Sequence, residues 1–423
     1  MLHMVGQKQH NIKNANHRLI LEQVRHHGEL SRTELTRNLG LSAAGISKNV
    51  DELIRNHVLL ETGTVATHAG RRPRMLQINR DYGCAAVVDF SSTDTRVALA
   101  NMCGEFIDYA TVPGGSELDD QHLYTVRDLL QQMLKKQSPA RKLLAISVAT
   151  PGDVDRKTGD FLFAPRLRKC TIRNFRDFFH AAFGVDVLVK NDVNLATYGE
   201  HLYGAGIGCS DMLYVAVDYG IGSGMVLGGK VYEGARGFAG EIGLWIMDAD
   251  EGTTDQEPKL LDGRASCFAI RQNICSKLSA GRQSVLQNWV PKGKLVEMDQ
   301  IFQAYRLRDP LCVEVVRQAA LQLACAIKNI IDFLDVELVI IGGRSKDFGD
   351  DYLDTIRTFL EKTQPTRIPR LIWASLGHQS ALYGGVGDAL EFAFDQIAKQ
   401  NDFPEESKEV EVCCCTDIGQ TER

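Results

Sequence analysis

The stretch VLVKNDVNLATYGEHLYGAGIGCSDMLYVAVDYGIGSGMVLGGKVYEGARGFAGEIG, from Val187 to Gly243, decides the reading of this chain. It opens on an apolar run, Val187 to Val189, that predicts a buried strand. The strand ends on Asn191 and Asp192, with Asn194 just beyond. A second apolar run, Met212 to Val217, ends on Asp218. A glycine-rich turn, Gly220 to Gly224, leads into a short strand over Met225 to Leu227. The block closes on Gly240-Glu241-Ile242-Gly243. Carboxylates and amides at strand ends, beside glycines that let backbone approach a ligand, suit a polyol. A carboxylate accepts from sugar hydroxyls, and Asn both donates and accepts. Singly, Asp192 or Glu241 reads better as a capping or surface carboxylate; as an ordered set they point to a site.

Around this block, 423 residues allow two or three domains, and 44% hydrophobic content is ample for real cores. No segment reaches the uninterrupted apolar length of a membrane helix. The N-terminus, MLHMVGQKQH, is polar and lacks the apolar region of a signal peptide. Eleven cysteines are scattered singly except for Cys413-Cys414-Cys415, and no C-x-x-C occurs. That pattern predicts reduced thiols in a cytoplasm. The net charge of −6 is unevenly spread: residues 1–80 carry 12 Lys and Arg against 6 Asp and Glu, a net +6. A basic end on an acidic body points to a nucleic-acid module fused to something else.

The basic end has the order of a helix-turn-helix. Asn16 to His27 predicts a helix with Leu19, Ile20 and Val24 on one face. Ser31-Arg32-Thr33-Glu34 is a capping box for a second helix, which ends at Leu39 with Gly40 placed for a left-handed cap. Ser42 caps a third helix running to about His57, with Ile46, Val50, Leu53 and Ile54 on one stripe. Ala44, Ser47 and Lys48 fall on its outer face near the N-terminal end, the face that enters a major groove. A strand over Val58 to Glu61, a polar loop from Thr62 to Arg72 and a strand over Met75 to Ile78 make a wing. Its tip is Gly70-Arg71-Arg72-Pro73-Arg74. Arginines suit the focused negative potential of a minor groove. A solvated basic loop or a protein-binding winged helix is the rival reading of this module.

The second domain opens at Ala85. A strand over Ala85 to Asp89, a turn over Phe90 to Asp94 and a returning strand over Thr95 to Ala100 parallel the later run from Val215 to Gly229. Both read apolar strand, aspartate, small-residue turn, apolar strand, a weak internal repeat. Between them come a helix near Leu118 to Lys136, a strand over Leu143 to Val148 and the turn Ala149-Thr150-Pro151-Gly152-Asp153. Pro310 to Leu334 predicts a long amphipathic helix leading into a strand and Gly342-Gly343. The tail from about Asn401 is charged and polar, which predicts disorder.

Taken in this order, the motifs resemble the ROK family (repressors, open reading frames and sugar kinases) over about residues 12–395. The resemblance implies an N-terminal winged helix-turn-helix, residues 12–80, followed by an α/β, actin-like (RNase H-like) two-lobed domain, residues 83–400. Lobe one would span about 83–200 plus the C-terminal helix, and lobe two about 201–375. The tip Gly70 to Pro73 resembles the G-R-R-P of family repressors, whose two arginines reach toward a minor groove. Pro151-Gly152 resembles the turn that lines the sugar pocket with backbone. Asn191, Asp192 and Glu241 are implied sugar contacts, and Asp192 keeps the position of the kinase catalytic base. Gly342-Gly343 falls where ROK kinases hold adenosine, and Ser375 to Gly377 with Gly384-Gly385 resembles the closing helix.

The kinase pattern is broken at both phosphate loops. The first, normally D-x-G-G-T, reads Asp89-Phe90-Ser91-Ser92-Thr93. The second, normally G-T-G-I-G-G-G, reads Asp218 to Gly224, with an aspartate that repels phosphate and a bulky Tyr219. The family's zinc signature is absent too: Leu244 stands where a histidine follows G-E-I-G. Trp245 to Arg264 holds no cysteine or histidine, and Cys267 is alone. The expectation is a cytoplasmic carbohydrate-operon repressor with no catalytic residues, no cofactor and no metal. It would bind double-stranded operator DNA through Ser42, Ala44, Ser47, Lys48, Arg71 and Arg72. A sugar or sugar phosphate would be sensed through Pro151, Gly152, Asn191, Asp192 and Glu241. Symmetric operators imply a homodimer or homotetramer, and no membrane partner is expected. The alternatives are a sugar kinase with an added winged helix, and a repressor controlled by a protein partner with a vestigial pocket.

Overall fold

The computed structural model describes residues 2–64, 74–91, 94–115, 117–137, 141–155, 158–163, 165–248, 259–290, 295–363 and 365–399. Arg71, Arg72, Ser92, Thr93 and the tail from residue 400 lie outside them. The chain divides into two compact units, one of Met1–Ile78 with the chain from Phe394, the other of Asn79–Ala393.

The first unit begins with α1 (Leu2–His27), longer than the sequence predicts. Ile20, Leu21 and Val24 are its buried face, whereas Leu19 is turned outward, one residue off the expected stripe. After β1 (Leu30–Ser31) comes α2 (Arg32–Leu39), closed by the expected devices: Ser31 and Glu34 form a capping box, and Gly40 sits in the left-handed region. Ser42 caps α3 (Ala43–Arg55) by accepting from the Gly45 amide at 3.1 Å. Ile46, Val50 and Leu53 fill the core beneath it. β2 (Leu59–Thr64) and β3 (Arg74–Ile78) pair antiparallel as the wing. β1 adds a third strand on β3, too short to be legible in the sequence.

The second unit carries two five-stranded sheets built to one plan. Lobe one contains β4 (Cys84–Asp89), β5 (Thr95–Asn101), β6 (Phe106–Val112), α4 (Asp120–Lys136) and β7 (Leu143–Thr150). A small ribbon follows, β8 (Asp153–Val154) with β9 (Phe161–Phe163), then α5 (Phe175–Phe183), β10 (Asp186–Asn191) and α6 (Asp192–Tyr203). Its sheet order is β10-β7-β4-β5-β6.

Lobe two contains β11 (Met212–Val217), β12 (Ile221–Leu227) and β13 (Lys230–Val231). A second ribbon pairs β14 (Ile246–Asp248) with β15 (Lys259–Leu260). α7 (Asp262–Ala265), α8 (Cys267–Ser279), α9 (Leu286–Trp289) and α10 (Met298–Arg306) precede α11 (Pro310–Leu334). The lobe continues with β16 (Leu338–Gly342), α12 (Asp350–Thr363) and β17 (Arg370–Trp373), in sheet order β13-β12-β11-β16-β17. The chain then enters α13 (Ser380–Lys399).

In each lobe an apolar hairpin, β4–β5 or β11–β12, pairs parallel with a later strand, β7 or β16. The repeated aspartates Asp89 and Asp218 stand at corresponding strand ends. α11 is long and apolar enough to cross a membrane by composition, but its apolar face, from Leu311 to Ile331, is buried in the core of lobe two.

The glycine-rich segment behaves differently from its sequence reading. Gly222 and Gly224 belong to β12, not to a turn. A Cβ on Gly222 would meet the Val193 side chain at 2.8 Å, and one on Gly224 would meet the Thr197 hydroxyl at 2.1 Å. These glycines let a strand lie flat against α6.

Candidate functional site

α6 places the central residues. Asn191 is its N-cap: the side-chain oxygen accepts from the amides of Val193 at 2.9 Å and Asn194 at 3.1 Å. Its side-chain amide donates to the Gly152 carbonyl at 3.4 Å, tying the cap to the turn after β7. Gly152 takes a positive φ of 89°, which a glycine adopts without strain. Asp192 is the first residue of the helix and also accepts from the Val193 amide, at 2.9 Å. Glu241 leads a short helical turn, and the segment before it is pinned to β12: Ser223 donates to the Gly240 carbonyl through both its amide and its hydroxyl.

Carboxylates converge here. Burial pushes the Asp192 carboxyl up to about 7, and the nearby charges of Asp89 and Glu241 add to the rise against the Val193 amide. Asp89 is fully buried and held by the Arg96 guanidinium at 3.2 Å, while its other oxygen takes the Ser91 amide at 2.8 Å. Arg96 also donates to the His378 carbonyl at 2.8 Å. Arg166 donates to the carbonyls of Phe90 at 2.7 Å and Gly115 at 2.8 Å. Burial lowers its pKa against the charges of Asp192 and Asp89. Sequence reasoning missed both arginines. Their partners lie 7 to 282 residues away, so no local pattern reveals them.

A cavity of about 170 Å³ opens beside the cap. Of the five residues expected to touch an effector, Gly152 and Asn191 line it, while Pro151, Asp192 and Glu241 do not. Its other polar lining comes from Arg176, Lys190, Asn194 and Glu233. Lys190 bridges Glu233 at 3.3 Å and Asp388 of α13 at 2.8 Å. Burial would depress its pKa, but these two carboxylates outweigh it and hold the ammonium above its ordinary range.

Zinc does not fit the donor set. Leu244 cannot ligate and is exposed, Cys267 is buried with its thiol toward the Val217 carbonyl, and the described residues contain no cluster of three potential ligands.

The first unit presents a separate surface. Ala44 and Lys48 are exposed on α3. Ser42 is exposed with its hydroxyl occupied by the cap. Ser47 is half-buried, and its hydroxyl accepts from Arg32 at 2.9 Å. Arg32 further pairs with Asp51 at 2.7 Å and Glu61 at 2.9 Å, fixing α2, α3 and the wing strand to one another.

The sequence model described as ROK family matches residues 85–388, and one described as winged helix-turn-helix DNA-binding matches residues 13–59. The chain belongs to the ROK family. Within it, the chain is 27% identical over 355 residues to the xylose repressor of Caldicellulosiruptor bescii, covering 83% of this chain and 88% of that protein. It is also 27% identical to a glucokinase of Halalkalibacterium halodurans, over 70% of this chain and 92% of the kinase. Among solved structures, a ROK family transcriptional regulator homologous to the Escherichia coli Mlc protein superposes with a TM-score of 0.78. The match has 24% identity and covers 92% of this chain and 99% of that one. That likeness establishes the fold of this chain: a winged helix-turn-helix followed by two actin-like lobes.

Proposed function

We propose that this ROK protein is a transcriptional repressor of carbohydrate genes that binds operator DNA and is controlled by a sugar. The observation that carries the reading is the union in one chain of a winged helix exposing Ala44 and Lys48 with a body that gathers Asn191, Asp192 and Glu241. In this reading α3 enters the major groove, and Arg71 and Arg72 reach the minor groove. The relatives named xylose repressor make D-xylose the first effector to test. A two-fold operator calls for a homodimer or a tetramer, working in the cytoplasm.

The second reading, a sugar kinase with an added winged helix, is favoured by one observation: an Asp192 carboxyl near 7 suits a general base. Against it, Asp218 puts a half-buried carboxylate into the loop where the family holds phosphate, and Arg96 already occupies Asp89. The test is operator binding by gel shift with and without D-xylose and D-glucose, run beside an ATP-dependent sugar phosphorylation assay. Sugar-sensitive operator binding without turnover is expected. Turnover of any of these sugars would put the kinase reading first.

A further inference from the structure

The cavity beside Asn191 is lined by two polar groups that are not among the expected effector contacts. Asn194 is only 6% exposed, lines the cavity, and its side-chain oxygen has no hydrogen-bond partner. A buried amide oxygen left unpaired is destabilising, and a ligand hydroxyl would satisfy it. Glu233 reaches the cavity from the loop after β13 and shares Lys190 with Asp388. A carboxylate offers about four acceptor sites, so Glu233 can hold the ammonium and a ligand hydroxyl together.

Charge and volume limit what enters. Lys190 stands between two carboxylates, and Asp388 is held in place by the Ser147 hydroxyl at 3.0 Å. Of the two cations that line the cavity, Lys190 is shared by Glu233 and Asp388, so a phosphate would have to compete with both for that ammonium, and Arg176 has an interaction of its own. The cavity, at about 170 Å³, falls below the roughly 300–1,000 Å³ of sites for drug-sized ligands. It suits one sugar ring.

We infer that Glu233 and Asn194 are specificity-determining residues for an uncharged monosaccharide, Glu233 accepting from ring hydroxyls and the Asn194 amide pairing with a neighbouring one. The inference rests on the sugar-sensing reading above and deepens it. Leu244, three residues after Glu241, is apolar and exposed. Glu233, from the same lobe, supplies polarity to the pocket from another loop.

The test is calorimetric titration of the full chain with D-xylose, D-glucose and glucose 6-phosphate. Wild type, Glu233→Gln, Glu233→Asp, Asn194→Ala and Asp192→Ala are compared. Wild type is expected to bind a neutral sugar. Glu233→Gln and Asn194→Ala should each weaken that sugar by about 10-fold and change the ratio of xylose to glucose affinity. A merely structural role would lower the melting temperature without moving the ratio. Glu233→Asp retains the charge for Lys190 and should still change the ratio, which keeps the test decisive if the glutamine variant misfolds. Unchanged affinities and ratio in the Glu233 and Asn194 variants, with binding lost in Asp192→Ala, would overturn this inference and leave the sugar-sensing reading standing. Preference for glucose 6-phosphate would overturn the uncharged ligand. No binding of any of the three by wild type would overturn both readings.

Discussion

Gly199 of α6 and Gly384 of α13 lie in backbone contact. A Cβ on Gly199 would stand 2.1 Å from the Ser380 carbonyl oxygen, and one on Gly384 would stand 1.8 Å from that of Leu195. No side chain fits at either position without separating the helices. Gly384→Ala is therefore expected to destabilise the second unit by about 1–3 kcal/mol through overpacking. Urea unfolding followed by circular dichroism measures it, and a loss below a few tenths of a kcal/mol would refute the close approach.

The same crossing carries a buried acidic side chain. Glu200 is fully buried and accepts from the amides of Ala205, Ser375 and Leu376 and from the hydroxyls of Ser375 and Ser380, all at 2.8–3.1 Å. Both its oxygens face donors. Glu200→Gln keeps the shape but turns an NH2 against at least two of them, so a loss of about 1–3 kcal/mol is expected. Ser380→Ala removes one donor and should cost less. The order of the two melting temperatures tests the network: equal losses would point to the hydroxyl alone.

Asp192 links the site to pH. Its carboxyl, ordinarily at 3.8, stands at about 7 in the fold. The folded state therefore holds this proton more tightly than the unfolded chain. Stability from this group falls as pH rises from about 4 to about 7, and is level outside that window. Asp192→Asn abolishes the fall. The variant should match wild type near pH 4 and exceed it by up to about 4 kcal/mol at pH 8. Sugar binding runs the other way, since the ionised carboxylate is the better acceptor: wild-type affinity should rise from pH 6 to 8. Equal stabilisation by Asp192→Asn at both pH values would remove burial of its charge as the cause.

Much of this was legible because local chemistry repeats known devices. The Ser31–Glu34 box, the Gly40 cap and the bounds of α11 followed from capping rules and periodicity. β6 was missed because Phe106 to Val112 is an edge strand with half-exposed residues, which weakens alternation. α5 was missed because FRDFFHAAF is short and dense in aromatics. The glycines of β12 looked like a ligand loop because the sequence cannot say whether close approach is to a ligand or to a helix. Lys190, Glu233 and Asp388 meet only through the fold.

DNA binding gives its own test. Lys48 is exposed on α3, and Arg71 and Arg72 belong to the wing tip by sequence. Each arginine that neutralises a phosphate steepens the salt dependence of binding by about 0.9 in log–log slope. Replacing Arg71 and Arg72 with Ala should weaken operator binding and flatten that slope by up to about 2. Lys48→Ala should weaken it with a change of about 1 or less. Fluorescence anisotropy between 50 and 200 mM salt reads both, and an unchanged slope for the double variant would dismiss the wing assignment.

The proposed sugar sensing through Asp192 gives a last test. A hydrogen bond to a charged group contributes about 1.5–3 kcal/mol, so losing the carboxylate should weaken sugar binding by roughly 10-fold or more. A repressor that cannot bind its inducer stays on its operator. Asp192→Ala should thus fold, bind operator like wild type, and fail to release at sugar concentrations that free wild type. Coupling between two binding sites is reciprocal: if sugar lowers operator affinity by some factor, operator lowers sugar affinity by the same factor. Titrating sugar into the free protein and into its operator complex must return that one factor. If Asp192→Ala releases at the same sugar concentration as wild type, the signal enters elsewhere. If wild type releases with no sugar, control by a protein partner becomes the leading account.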